Sequence, residues 1–134
     1  MQHEWVDTFE GSRQAELYEI YRNEWWTQGR QFDDVMHMVE HSDLAIGCCN
    51  ENGKLVGFAR VLSDFTFKAL IFDVIVHCDF RGRGIGKALI DRIIDHQALI
   101  KVRSFELYCP EGMVPFYNKL GFAKRSSHLL SFSR

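Results

Sequence analysis

The chain has 134 residues, 46% of them hydrophobic, and a formal net charge of -2. The length suits one domain with one core, and the apolar fraction excludes intrinsic disorder. The small net charge gives no electrostatic case for nucleic acid or an anionic membrane as partner. No apolar run is long enough to cross a bilayer. The first residues, Met1 to Trp5, lack the charged and apolar regions of a signal peptide, which leads to the expectation of a cytoplasmic protein.

In chain order, residues 3 to 9 read as a weak first edge strand. Leu17, Tyr21 and Trp25 then repeat every four residues from a start near Ser12, the expected N-cap, with Ala15, Tyr18 and Ile20 widening the stripe. Gly29 interrupts the pattern. A second helix is expected over 32–41, with Asp33 and Asp34 at its favourable end and Phe32, Val35, Met36 and Val39 facing inward. Strands follow at 44–50, 55–62 and 68–77, the first two joined by Asn52-Gly53, which predicts a type I′ hairpin. The nearly continuous apolar runs Leu55–Ala59 and Ile71–Val76 suit central strands covered on both faces.

The stretch from Val74 to Leu89 is the most informative. A β-branched run enters a turn with Gly82, Gly84 and Gly86, then a helix over 84–97 with Ile85, Ala88, Leu89 and Ile93 inward. A glycine turn at a helix N-terminus is an anion site, because free amides and the helix dipole converge there. Arg81, Arg83 and Lys87 add cationic groups around it. It is not a P-loop, since Ala88 follows Gly86-Lys87 where a hydroxyl is needed. Nor is it the dinucleotide fingerprint, since Lys87 stands at the third glycine position. A strand at 104–109 comes next. A short helix follows, with Pro115 early and Gly121 at its end. The tail from Phe122 to Arg134 is expected to add two short strands or a hairpin.

Arg81-Gly82-Arg83-Gly84-Ile85-Gly86 has the form Arg/Gln-x-x-Gly-x-Gly/Ala. It follows Val76-His77-Cys78-Asp79-Phe80 and precedes Phe116-Tyr117-Asn118-Lys119-Leu120-Gly121-Phe122 by about thirty residues. This pairing resembles the GCN5-related N-acetyltransferases (GNAT) over residues 55 to 122. The resemblance implies an α/β fold, a single-domain mixed sheet of about six or seven strands with about four helices. It also implies acetyl-CoA as co-substrate, with Arg81, Gly82, Arg83, Gly84, Ile85, Gly86 and Lys87 holding its pyrophosphate. Ile75 and Val76 would offer backbone to the pantetheine, with Tyr108 and Cys109 on the far side of the cleft. Many members carry an asparagine ahead of the tyrosine motif; residues 109–114 contain none, although Asn118 lies close by.

For the chemistry, a tyrosine titrates near 10 and so is protonated at neutral pH, able to give a proton to a leaving thiolate. Tyr117 matches the family's tyrosine and takes that role. The base is open. Asp73, a carboxylate in an apolar strand, is the leading candidate, against a purely structural pairing with a cation such as Arg60; His77 and water are alternatives. Trp25, Trp26 and Phe32 fall where the family builds an acceptor wall, and would suit an apolar or aromatic amine; ordinary core packing is the alternative. Cys48, Cys49, Cys78 and Cys109 show no Cys-x-x-Cys spacing, so no metal is expected and the thiols are read as reduced small hydrophobes. The reading is an N-acetyltransferase acting on a small primary amine, possible homodimer included. A non-catalytic acetyl-CoA sensor or partner module and a protein or peptide acetyltransferase stand as alternatives.

Overall fold

The computed structural model describes residues 3–134. One five-stranded sheet carries the fold, in the order β1 (Glu4–Val6), β2 (Leu44–Cys49), β3 (Leu55–Ser63), β4 (Lys68–Val76) and β5 (Ser104–Leu107). Neighbours are antiparallel except β4 and β5, which are parallel and joined through helix α3 (Ile85–Ile94). Helices α1 (Ser12–Arg22) and α2 (Phe32–Glu40) precede β2, and α4 (Val114–Lys119) follows β5. The four helices agree with expectation. The sheet has five strands rather than six or seven, because residues 123–134 form no strand. Leu129, Leu130 and Phe132 there are exposed. A hairpin with no face packed on the core gains little from pairing, and these side chains stay in water.

Instead of one core, the two faces of the sheet bury two. On one face Ile85, Leu89, Ile90 and Ile93 of α3 close on Ile46, Val56, Ala59, Val61, Ala69 and Ile71. On the other, Leu17, Ile20 and Tyr21 of α1 and Val35 of α2 meet Phe9, Leu55, Phe58 and Ile75. Central strands covered on both sides are what the continuous apolar runs imply. Cys48 and Cys49 are buried, one in each core, whereas Cys78 is exposed and Cys109 half-buried, so the small-hydrophobe reading fits only the first pair well. Gly57 admits α3 to the sheet: a Cβ there would lie 2.8 Å from Ile85 Cγ2.

Several local expectations need correction. The cap of α1 is Gly11, not Ser12, and Ser12 is already helical. The β2–β3 hairpin is not type I′. Only Gly53 has a positive φ, of 77°. Asn50 closes the turn, its carbonyl accepting the Gly53 amide at 2.9 Å and its side chain accepting from Asn52 and Lys54. One left-handed glycine after an ordinary turn is the three-residue alternative to the two-residue loop. Helix α3 stops at Ile94, and the His96 ring then caps a separate short turn by accepting the Ala98 amide.

Candidate active site

The site is built by two departures from regular sheet geometry in β4. The first is a bulge. Phe58 pairs with Ile75 and Arg60 with Phe72, so Asp73 and Val74 both stand opposite Ala59. Asp73 takes φ 56°, the left-handed region, which aspartate tolerates better than most residues. The second departure is a parting of strands. The parallel β4–β5 pairing ends at Ile71 opposite Leu107, while β4 continues to Val76. Among the described residues, the β5-facing edge of β4 has no strand partner from Phe72 onward. Phe72 and Tyr108 rings meet edge to face at 6.0 Å near the point of parting, and Cys109 lies one residue beyond. Tyr108 and Cys109 thus lie past the end of β5, not within it as the sequence suggests.

Beyond Val76 the chain turns sharply. The His77 amide donates to Val56 at 2.8 Å, and the His77 ring accepts the Asp79 amide. Gly82 and Gly84 have φ of 77° and 82°, and a Cβ at either would meet nothing within 4 Å, so the turn stands open. Among the described residues, the amides of Gly82 to Lys87 donate to no protein acceptor; the first such bond is Ala88 to Gly84. The side chain of Ile85 is core, so its contribution here is the amide alone. Gly86 brings this helix end against α4, its absent Cβ leaving room for Phe116 at 3.2 Å.

The three cations of the turn do not point freely into it. Arg81 Nε donates to the Val76 carbonyl at 3.0 Å and its Nη2 pairs with Glu24 at 2.9 Å. Arg83 stacks over Phe80, 5.1 Å from the ring centre, and Lys87 pairs with Asp91 at 2.6 Å. The anion-binding capacity of the turn therefore resides first in backbone amides, with the side chains held nearby. A pyrophosphate fits this donor set: consecutive free amides, an open glycine turn and a ten-residue helix behind it.

Tyr117 is 8% exposed and packs edge to face against Phe116 and Phe122. Its hydroxyl has no protein partner among the described residues. Burial, and then the neighbouring Cys109, push its pKa up to about 12. Burial also raises the Cys109 thiol. Tyr117 therefore holds its proton at any physiological pH.

Asp73 is fully engaged on one oxygen: Oδ2 accepts Arg60 Nε at 2.7 Å and the Tyr21 hydroxyl at 2.7 Å. Both ion-pair side chains are largely buried, and Arg60 also lies over the Phe72 ring at 4.8 Å. Burial, with the Asp73 charge second, drives the Tyr21 pKa far above the ordinary tyrosine value, so Tyr21 remains a donor. The structural pairing with Arg60 is thus present, reinforced by a tyrosine that helical periodicity had marked only as part of an apolar stripe.

The aromatic wall does not assemble as one surface. Trp25 is 76% exposed, Trp26 stacks edge-on to Tyr21 beneath Arg30, and Phe32 stacks on Tyr18. A cleft of about 340 Å³ instead opens between the end of α1 and the end of β4, lined by Ile20, Asn23, Glu24, Ile75, His77, Cys78 and Arg81. Nothing in the sequence marked Glu24 or Asn23, because polar residues between Tyr21 and Trp25 read as the solvated face of the expected helix, which in fact ends at Arg22. His77, Cys78 and Asp79 bring possible ligand atoms within 4.8 Å of one another, but His77 Nδ1 already accepts the Asp79 amide.

An α/β sheet whose two parallel strands part, a free-amide turn at a helix N-terminus and a buried tyrosine together make the fold that the sequence motif implied. The chain belongs to the acetyltransferase (GNAT) family, whose model matches residues 1–122. It is 36% identical over 112 residues, 81% of this chain and 64% of the relative, to a Pyropia yezoensis protein named uncharacterized N-acetyltransferase ycf52. It is 37% identical over 87 residues to histone acetyltransferase TAP1 of Glycine max, covering 65% of this chain and 37% of that one. It is 33% identical over 97 residues to serotonin N-acetyltransferase 2, chloroplastic, of Oryza sativa subsp. japonica, covering 70% of this chain and 48% of that one. The chain thus spans less than two thirds of the length of these relatives. AAC(6')-Iy, solved with a bisubstrate analogue of CoA, shares the fold at a TM-score of 0.79 and 16% identity, with 100% and 99% of the two chains covered. No helix among the described residues is long and apolar enough to cross a membrane.

Proposed function

We propose that this domain transfers an acetyl group from acetyl-CoA to the primary amine of a small molecule, by direct attack on the thioester. The observation that carries the reading is the unpartnered edge of β4 from Phe72 to Val76 running directly into a turn whose amides lack acceptors. Acetyl-CoA supplies an activated acyl group. The chain's residues supply the rest. The amides of Gly82 to Lys87 bind the diphosphate, aided by Arg81, Arg83 and Lys87. The free edge around Ile75 and Val76 pairs with the amide-bearing arm, Tyr108 and Cys109 bound the far side, and an amide near Val76 faces the oxyanion. A fixed donor stabilises charge well because it needs no reorganisation as the charge develops. Tyr117 gives its proton to the departing thiolate. Asp73, with Arg60 and Tyr21 on Oδ2, holds the bulge that aims this edge; its Oδ1 is left to a water able to take the amine's proton.

A small acceptor is supported by the modest size of the cleft at Ile75, about 340 Å³, and by the relative named for serotonin. A protein acceptor, as in the relative named a histone acetyltransferase, is the second reading. The test is calorimetric titration with CoA and acetyl-CoA, then CoA release measured against a panel of primary amines and a lysine-containing peptide. Binding of CoA with turnover of small amines supports the proposal. Turnover of the peptide alone selects the second reading, and CoA binding without any turnover indicates a sensor.

A further inference from the structure

We propose that Glu24 is the carboxylate that receives the acceptor's ammonium group, and that Arg81 masks it until a phosphate ligand draws Arg81 away. This rests on the acetyltransferase reading and deepens it. Glu24 sits on a firmly held piece of backbone between α1 and the turn at Trp25–Thr27. Its amide donates to the Tyr21 carbonyl at 3.1 Å, and its own carbonyl accepts from the Thr27 hydroxyl at 2.8 Å and the Gln28 side chain at 3.0 Å. The carboxylate is directed into the cleft, and its side chain is only 16% exposed.

A carboxylate is seldom kept this far from water unless something charged meets it. Its present partner comes from 57 residues away: Arg81 Nη2, at 2.9 Å on Oε1. Glu24 Oε2 has no protein partner among the described residues. Arg81 is itself 56% exposed and lies at the start of the open amide turn, so a pivot of its guanidinium toward a phosphate gives up its bonds to Glu24 and the Val76 carbonyl but little burial. Glu24 holds Arg81 through a single bond, whereas a phosphate offers two oxygens for a paired, charge-assisted contact with the guanidinium. Once Arg81 turns, Glu24 is left without a counter-ion inside a cleft floored by Ile20 and Ile75. That combination recognises a primary ammonium carried on an apolar body. The cofactor thereby creates the acceptor's site, and an amine arriving first meets a neutralised carboxylate.

The experiment uses CoA and 2-phenylethylamine as probes, with 2-phenylethanol as the uncharged control, read by calorimetry and ligand-observed NMR without turnover. In the wild-type protein, 2-phenylethylamine binds at least tenfold more tightly when CoA is saturating, and 2-phenylethanol shows no such gain. Glu24→Gln keeps the ion-free hydrogen-bonding shape, binds CoA at least as tightly as wild type, and loses the CoA-dependent gain. Three results overturn the proposal: equal amine affinity with and without CoA, a gain that survives Glu24→Gln, or no amine binding to the CoA-saturated protein. Circular dichroism and melting of Glu24→Gln exclude misfolding. Failure of wild type to bind CoA would instead overturn the acetyltransferase reading.

Discussion

At the scale of single residues, the proposed chemistry requires Tyr117 to be both protonated and near the leaving sulfur. Its packing between Phe116 and Phe122 and its elevated pKa serve the first condition. Tyr117→Phe keeps the ring packing and removes only the acid. The expected outcome is a fall in kcat of about a hundredfold or more, in the range of general acid catalysis, with CoA affinity unchanged by calorimetry. The pH dependence follows from the sign of the shift. The folded state holds the tyrosine proton up to about 12, while an unfolded tyrosine loses it near 10. Tyr117 therefore adds no slope to stability at neutral pH. Between about 10 and 12 the folded state binds more protons, so stability falls as pH rises through that window. Steady-state rates should show no Tyr117-dependent loss up to pH near 10; an alkaline limb near 8 that vanishes in Tyr117→Phe would contradict this.

At the scale of elements, the site exists because α3 lies close on the sheet and because β4 bulges. Gly57 sets the first. Its Cβ position is 2.8 Å from Ile85 and 3.3 Å from Leu89, both at most 1% exposed, so neither neighbour has room to retreat. Gly57→Ala should destabilise by about 1–3 kcal/mol through overpacking, measured by urea unfolding, and should tilt the helix end that follows the glycine turn. The bulge depends on Asp73, Arg60 and Tyr21 together. Asp73→Ala leaves Arg60 buried without its counter-charge, a loss of about 3–5 kcal/mol. Asp73→Asn keeps the shape and an acceptor, so it separates two roles. If Asp73 positions the bulge, the variant keeps most of kcat and the wild-type pH profile, with a raised KM and a lower Tm. A lost acidic limb at unchanged Tm would instead give Asp73 the role of base.

These elements also show what a linear pattern can and cannot carry. Strand and helix locations were legible because apolar periodicity reflects burial, and the glycine turn was legible because open, left-handed backbone requires glycine at Gly82 and Gly84. The bulge was hidden: Asp73 sits in an apolar run, and nothing local announces that two residues face Ala59. Tyr21 was assigned to a stripe, although its hydroxyl reaches 52 residues along the chain to Asp73. Arg81 was legible as a cation beside the glycine turn, but its partner Glu24 was not, since the pairing spans 57 residues. Long-range polar contacts leave no periodicity, so the side chains that tune a site are the ones a sequence conceals.

At the scale of the whole molecule, the chain separates into a packed body and a tail that adds little to it. Phe122 is the last residue that packs against the α3-side core, and the family match also ends at 122. From residue 123 onward there is no helix or strand, and the principal tie back is Lys124 to Glu111 at 2.8 Å, between exposed side chains. Exposed ion pairs contribute little. Leu130 and Phe132 are 89% and 90% exposed, so folding gains almost nothing from burying them. Ending the chain after Phe122 should therefore leave the melting temperature within a few degrees of the full chain and leave CoA affinity unchanged. It should also reduce concentration-dependent association in light scattering, because it removes three large apolar side chains from contact with water. A large drop in melting temperature, or loss of CoA binding, would mean that the tail completes the sheet in solution, with the free edge of β5 as the place where it would pair.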